Sequence, residues 1–470
     1  MKKRKNFNFK ELKFPHTYVI IFSLVCIATL LTWIIPAGEF DRVKDQITGK
    51  QLIVNGTFKI IKGSPVNFLE IPLEIIKGLL KASSIVYVVL IVGGAFNIII
   101  ETGMFQAFTG KITKNFGEKE GIIIPVFTTT FALACMTMGV NTFIGFAPVS
   151  IILARSLGYD AIVGVSMVML GGAIGFSTGT FNPFTTGVAQ SIAGLPMFSG
   201  VWYRFICLIV FLIVTNIYLI KYAKKIKKNP ELSYVKDLEL EEKLYEHSDN
   251  KISELEKRHY LVFIIIIVLF GILIYGGSNL KWKLNETGAI FIWMGILSGL
   301  AYGYSPSKIA SLFVDGSKKL VFGALLIGIA RSISLILSEG QILDTTVFYL
   351  GNFLSALPSV FQSTGMFLMQ LIINGLITSG SGQAAVTMPI MLPVSDLIGM
   401  TRQASILAFN FGDGFSNYVL PTSSALMGFL AISKIPYDKW IKFIWKLFII
   451  WVITGSILII IADFIKLGPF

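Results

Sequence analysis

The sequence predicts an all-α polytopic membrane protein built from two inverted repeats, with about nine transmembrane spans, two re-entrant helical hairpins and two broken helices. Three observations lead there. Of 470 residues, 54% are hydrophobic and only 14% charged, which is more apolar surface than a soluble domain can hide. The charges gather in short segments between apolar runs of about 20 residues, the length that crosses a hydrocarbon core. Twice, about 240 residues apart, an almost charge-free stretch is interrupted at matching places by polar, glycine-rich, proline-marked breaks.

In chain order, the basic start Met1-Lys-Lys-Arg-Lys5 precedes an apolar run at 17–36. That run is too long for a typical signal-peptide core and is expected as a retained first span. The 37–66 loop carries Thr-Gly and Asn-Gly turn signals around the alternating Gln51-Leu-Ile-Val54, the pattern of a small hairpin. Further full-length spans are expected at 83–101, 200–222, 259–277, 286–304, 320–338 and 441–465. Regions 159–196 and 402–433 are longer and broken in the middle. Regions 121–157 and 365–398 each have two arms of roughly 14 to 18 residues around a polar tip, short enough to suit re-entrant hairpins better than spans. The tips are Gly139 to Thr142 and Ser379 to Gln383. Segments 104–118 and 345–360, placed before the hairpins, read as amphipathic helices on the membrane surface.

The basic residues of the N-terminal segment, of the 102–120 link (Lys111, Lys114, Lys119), of the 223–258 loop (Lys224, Lys225, Lys227, Lys228) and of the 305–319 link (Lys308, Lys318, Lys319) fall on one side. By the positive-inside rule that side, with the N-terminus, is cytoplasmic. Five spans separate the hairpins, an odd number, so the copies are inverted and the hairpins enter from opposite sides, as alternating access requires. The chain then divides into an N-terminal half, 1–222, a cytoplasmic linker, 223–258, and a C-terminal half, 259–470.

Between Arg402 and Lys434 the only charged residue is Asp413, expected inside the second glycine-rich break. A carboxylate at that depth costs about 2.5–3.5 kcal/mol on insertion scales and needs Na⁺, a proton, a cationic substrate or a basic side chain as partner. Ser416 and Asn417 follow it and offer neutral oxygens. In the first copy Asn141, Thr142, Ser177, Thr178, Thr180 and Asn182 hold comparable places, followed by Pro183-Phe-Thr185-Thr186, a device repeated in Pro421-Thr422-Ser423-Ser424. Proline in the first turn of a half-helix leaves free N–H groups facing the break, so the two half-helix starts are expected to clasp an anionic group. At the second hairpin tip, Ser379, Ser381 and Gln383 add polar groups. Arg331 lies deep in an apolar span and either binds a substrate carboxylate or neutralises Asp413. Glu101 and Glu339 sit near span ends, and Arg155 and Asp160 flank a short turn that they are expected to anchor.

Formal charge +13 raises nucleic acid as a partner, but the placement of the basic residues between apolar runs argues for the membrane instead. Cys26, Cys135 and Cys207 lie in apolar segments without metal-ligand or disulfide spacing. No phosphate-binding Gly-x-x-x-x-Gly-Lys-Ser/Thr loop is present for ATP-driven transport. An open channel fits inverted hairpins poorly, and an intramembrane enzyme lacks a catalytic group set, so no enzymatic activity is expected. A secondary transporter remains.

The ordered set Gly-Val-Asn-Thr-Phe143, Gly-Phe-Ser-Thr-Gly-Thr-Phe-Asn-Pro183, Gly-Ile-Ala-Arg-Ser-Ile333 and Gly-Asp-Gly-Phe-Ser-Asn417 resembles the YfcC-type branch of the anaerobic C4-dicarboxylate carrier family, within the ion transporter superfamily. The resemblance spans nearly the whole chain. It implies scaffold and transport domains, an elevator-like shift, a homodimer in many members, and the cytoplasmic (inner) membrane of a bacterium. It maps a Na⁺ site onto Asn141, Asp413 and Asn417, with Na⁺ or H⁺ as coupling ion. The second tip lacks the Ser-Asn-Thr of sodium–dicarboxylate relatives, which weighs against a second Na⁺ site. The family name implies succinate or fumarate as substrate, and the branch implies amino acid antiport of the arginine–ornithine kind.

Overall fold

The computed structural model describes residues 17–44, 51–54, 56–104, 107, 122–238, 256–280, 282, 284–357 and 359–468. The first apolar run forms helix α1 (Thr17–Ile34). Two nested antiparallel ribbons follow, β1 (Gly38–Glu39) with β4 (Lys59–Ile60) and β2 (Arg42–Lys44) with β3 (Gln51–Ile53). This is the hairpin that the turn signals predict. Arg42 ties it to the second half through a two-pronged ion pair with Asp344 at 2.7 and 2.8 Å.

A short helix not separated in the sequence, α2 (Ile71–Lys81), leads into α3 (Ser83–Glu101). The expected surface helix at 104–118 lies almost wholly outside the described residues. The first hairpin comprises α4 (Ile123–Cys135), a 3₁₀ turn (Val140–Phe146) and α5 (Ala147–Ser156). Its helical arms, about 20 and 15 Å long at 1.5 Å per residue, fall short of a hydrocarbon core about 30 Å thick. The first broken helix is α6 (Ala161–Thr178) and α7 (Thr186–Ala193), followed by α8 (Val201–Lys228). Asp160 starts α6 by accepting from Val163 N, and its other oxygen accepts from Tyr222 Oη at 2.6 Å and Ser233 Oγ at 2.7 Å. It thus anchors the turn and fastens it to α8. Gly179, at φ 62°, ends α6 in a conformation that a side chain would strain. Linker residues 239–255 lie outside the described set.

The same order returns in α9 (Lys257–Asn279), α10 (Leu284–Tyr302), α11 (Pro306–Lys318), α12 (Val321–Glu339), α13 (Leu343–Ala356), hairpin α14 (Ser359–Leu376) and α15 (Gly380–Leu397), broken helix α16 (Arg402–Ser416) and α17 (Ser424–Ser433), and α18 (Tyr437–Phe464). Helices α3, α6, α8, α10, α12 and α18 are each long and apolar enough to cross a membrane, and the protein is an all-α polytopic membrane protein. The halves interlock: α2 packs on α12 of the second half, and α11 packs on α3 of the first.

The structure corrects three expectations. The second hairpin begins at Ser359, and its arms of 18 residues each are as long as spans, so arm length does not mark it as re-entrant. Gly380 to Gln383 are not an open tip but the first turn of α15, capped by Ser379 Oγ, which accepts from Gly382 N at 3.3 Å. Asp413 and Ser416, and likewise Ser177 and Thr178, lie in the last turns of α16 and α6 rather than in unwound chain. The reason is that several glycines there serve close packing instead of breakage. A Cβ on Gly175 would stand 1.9 Å from Ala132 O, and one on Gly414 would stand 2.5 Å from Ser177 Cα. Such small residues let membrane helices approach backbone to backbone.

Helices α6 and α16 form the centre. All of α6 except Phe176, and all of α16 except Arg402, is buried. Ser177 faces Gly414 and Gly179 faces Asn410, so the two cross antiparallel, as equivalent helices of inverted copies must.

Candidate functional site

Four pieces of chain converge at this crossing: the end of α6, the last turns of α16, the first break (179–185) and the start of α15. Asp413 is 1% exposed, and both its carboxylate oxygens are buried without a hydrogen-bond partner among the described residues. Gly380 lies against it: a Cβ there would be 2.6 Å from Asp413 Oδ2 and 2.6 Å from Thr185 Cγ2. The carboxylate therefore looks onto the second hairpin on one side and the first break on the other. Buried polar atoms without partners collect nearby, namely Ser177 Oγ, Asn182 Nδ2, Thr185 Oγ1 and Asn410 Nδ2, with Gln383 Oε1 on α15 and Thr422 Oγ1 in the second break. Each such atom costs about 1–3 kcal/mol when left unsatisfied. A folded chain tolerates several together where a ligand meets them.

Several expected site residues also make hydrogen bonds within the fold. Asn417 Nδ2 donates to Asp413 O at 2.7 Å, while Asn374 Nδ2 of α14 reaches Ser416 Oγ at 2.7 Å, Asp413 O at 3.0 Å and Asn417 Oδ1 at 3.0 Å. Asn374 and Asn417 thus both serve one carbonyl, that of Asp413, in the last turn of α16. Thr178 Oγ1 donates back to Ile174 O at 2.9 Å. Asn182 Oδ1 accepts from Phe184 N at 2.9 Å and Thr185 N at 3.2 Å, and Asn182 O accepts from Gly187 N. Ser423 caps α17 by accepting from Leu426 N. Helices α7 and α17 begin at Thr186 and Ser424, three residues after Pro183 and Pro421, so neither proline stands in a first helical turn. Ser423 is thus the side-chain cap of α17, whereas α7 starts without one, Asn182 serving only the N–H groups just before it. Gln383 Nε2 donates to Gln370 O and Oε1 at 2.9 and 2.7 Å. Asn141 and Thr142 are half-buried in the first hairpin's 3₁₀ turn, and Ser381 is half-buried on α15.

Asp413 with the hydroxyls of Thr185 and Ser177 fits a monovalent cation or an ammonium group. Of the Na⁺ trio implied by the resemblance, Asn417 Oδ1 accepts from Asn374 Nδ2 at 3.0 Å with one lone pair left over, and Asn141 lies in the first hairpin's 3₁₀ turn. Arg331 is half-buried, and its Nη1 donates to Thr378 Oγ1 at 2.5 Å beside the second tip. It does not neutralise Asp413, whose oxygens have no partner.

Arg204, Asn374 and Asn410 were not singled out from the sequence. Arg204 follows Trp202 at the start of a span, where a basic residue reads as an interfacial anchor. Its side chain instead runs inward, with Nη1 donating to Thr178 O at 3.2 Å and Asn410 Oδ1 at 2.8 Å. Asn410 stands three residues before Asp413 on the same helix, and that spacing was the available signal.

The C4-dicarboxylate anaerobic carrier family (DcuC) matches this chain over residues 14–463. The chain is 31% identical to the "Putative basic amino acid antiporter YfcC" of Escherichia coli, covering 91% of this chain and 92% of that protein. It is 26% identical to an uncharacterized protein of Haemophilus influenzae over 98% of each. Among solved structures, the Alcanivorax borkumensis YdaH transporter aligns over 97% of this chain and 99% of its own, at 12% identity and a TM-score of 0.41. On the extent of the family match and of the E. coli likeness, the chain belongs to the C4-dicarboxylate anaerobic carrier family, a family of membrane transporters.

Proposed function

We propose that this chain is a secondary active antiporter of small cationic metabolites, basic amino acids such as arginine and ornithine, working by alternating access. The observation that carries the reading is the buried Asp413 carboxylate, without a partner, at the crossing of the two broken helices. Such a group repels a dianion and attracts a guanidinium or ammonium. It also gives a physical reason for exchange. A buried carboxylate that nothing hydrogen-bonds is costly to carry across the bilayer, so the carrier returns only when a second solute occupies the site. The E. coli relative's description supports the same substrate class. In this reading Asp413, Thr185, Ser177 and Asn182 face the solute, while Ser379, Ser381, Gln383 and Thr422 line its approach, and the basic loops face the cytoplasm.

A second reading, C4-dicarboxylate transport with Na⁺ or H⁺ on Asp413, is favoured by Arg331, whose guanidinium stands at the second hairpin tip and is not neutralised by Asp413. The deciding experiment is uptake of labelled arginine into vesicles that hold the purified protein and are preloaded with ornithine, with excess succinate outside. Rapid exchange insensitive to succinate is the expected result. Absence of arginine exchange together with succinate uptake would replace it with the second reading.

A further inference from the structure

Arg204 is the only lysine or arginine in the buried set among the described residues, at 1% exposure. Its Nη1 is bonded, but Nε and Nη2 are buried without an acceptor. These two nitrogens form one edge of the guanidinium plane, with parallel N–H bonds, the edge that takes both oxygens of a carboxylate at once. Asn410 Oδ1 accepts from Arg204 Nη1 and from Thr186 Oγ1 at 3.2 Å, while Asn410 Nδ2 is a further buried donor without a partner. At this end of the crossing the orphaned atoms are therefore donors. One helical turn along α16 stand the two acceptor oxygens of Asp413, with the hydroxyls of Ser177 and Thr185 nearby. Residues three apart on a helix share a face, with Cβ atoms about 5–6 Å apart. No ion pair joins the two ends, since Asp413 has no partner.

We propose that Arg204 binds a carboxylate of the transported solute, with Asn410 Nδ2 as its companion donor, while Asp413 takes the solute's cationic end. The proposal deepens the transporter reading and rests on it, but it holds for any carboxylate-bearing solute. The competing role is structural: a cation at the end of α6, bonded to Thr178 O, favours that helix terminus without touching solute.

The test compares arginine with agmatine, which is arginine without its carboxylate, as competitors of uptake into vesicles carrying wild-type protein, Arg204→Gln or Asn410→Asp. Asn410→Asp keeps the side chain's shape while placing a carboxylate against Arg204. Wild type is expected to prefer arginine by at least about tenfold, the scale of a charged hydrogen bond, and both variants are expected to bring that preference close to one while still recognising agmatine. A ratio does not depend on how much protein folds, and the second variant stands in if Arg204→Gln is not produced. Weakening of both solutes by one factor, with the preference intact, would show a positioning role only and overturn the proposal. If wild type takes succinate and not arginine, the basic amino acid reading alone fails. Succinate against its monoamide then gives the same comparison: lost preference in the variants supports Arg204 as the carboxylate-binding residue, and intact preference overturns it.

Discussion

At the scale of single residues, the buried acidic groups among the described residues differ in what compensates them. Asp344 and Asp160 are buried as deeply as many core residues, but Arg42 neutralises the first, and two hydroxyls and a backbone N–H serve the second. Asp413 has none of these. Asp413→Asn preserves shape and removes the charge, and it is expected to abolish solute exchange in vesicles while the protein still inserts at wild-type abundance. Unchanged flux in that variant would take Asp413 out of the site. Its isolation was legible in the sequence because it is the one charge between Arg402 and Lys434. Arg204 was not legible, because four residues into a span a basic side chain points outward to the interface or inward to the core with no local signature of which. Asn374 was hidden for a similar reason: only tertiary packing sets it against the end of α16.

At the scale of elements, prolines and polar residues marked four helix pairs and the structure has a pair at each place, but the arms and tip of the second hairpin are not those expected. What local pattern misplaced was where each helix ends. Gly412 and Gly414 look like breaks in sequence, but a Cβ on Gly412 would lie 2.3 Å from Gln370 Cβ, so both glycines are helical and packed against neighbours. The hairpin glycines differ in the same way. Gly380 holds α15 against Asp413 and Thr185, whereas a Cβ on Gly139 at the first tip would meet nothing within 4 Å. Gly380→Ala is expected to push the second hairpin off the carboxylate and lower the exchange rate at least tenfold, roughly the effect of a few kcal/mol of overpacking. Gly139→Ala is expected to leave it within about twofold. Equal effects of the two substitutions on arginine exchange would show that the contact with Asp413 is not what matters at Gly380.

At the scale of the molecule, the repeat implies how the site is opened to each side in turn. Helices α1 to α3 and α9 to α12 pack among themselves, while the hairpins, broken helices, α8 and α18 surround the crossing of α6 and α16. The two groups meet along α12 and α3 against α17, with further contacts of α12 on hairpin helix α14 and of α10 and α3 on the first hairpin's 3₁₀ turn. That seam holds a cavity of about 250 Å³ lined by Leu326, Phe322, Met427, Leu430, Lys319 and Lys434. A fully packed seam would resist sliding, because interiors at crystal density transmit strain instead of yielding to it. The space is local, since a Cβ on Gly323 beside it would stand 2.4 Å from Ala431 Cβ, and relative motion of the two helices would have to slide this close contact. In a background lacking Cys26, Cys135 and Cys207, cysteines at Leu326 and Met427 joined by a short thiol-reactive bridge are therefore expected to stop exchange, and cleaving the bridge to restore it. Solute binding to the bridged protein, followed by thermal stabilisation, should survive, because the crossing lies within one group and is not itself distorted. Exchange at the unbridged rate after complete cross-linking would mean that the two groups do not move along this seam, and would place the moving boundary at the hairpins alone.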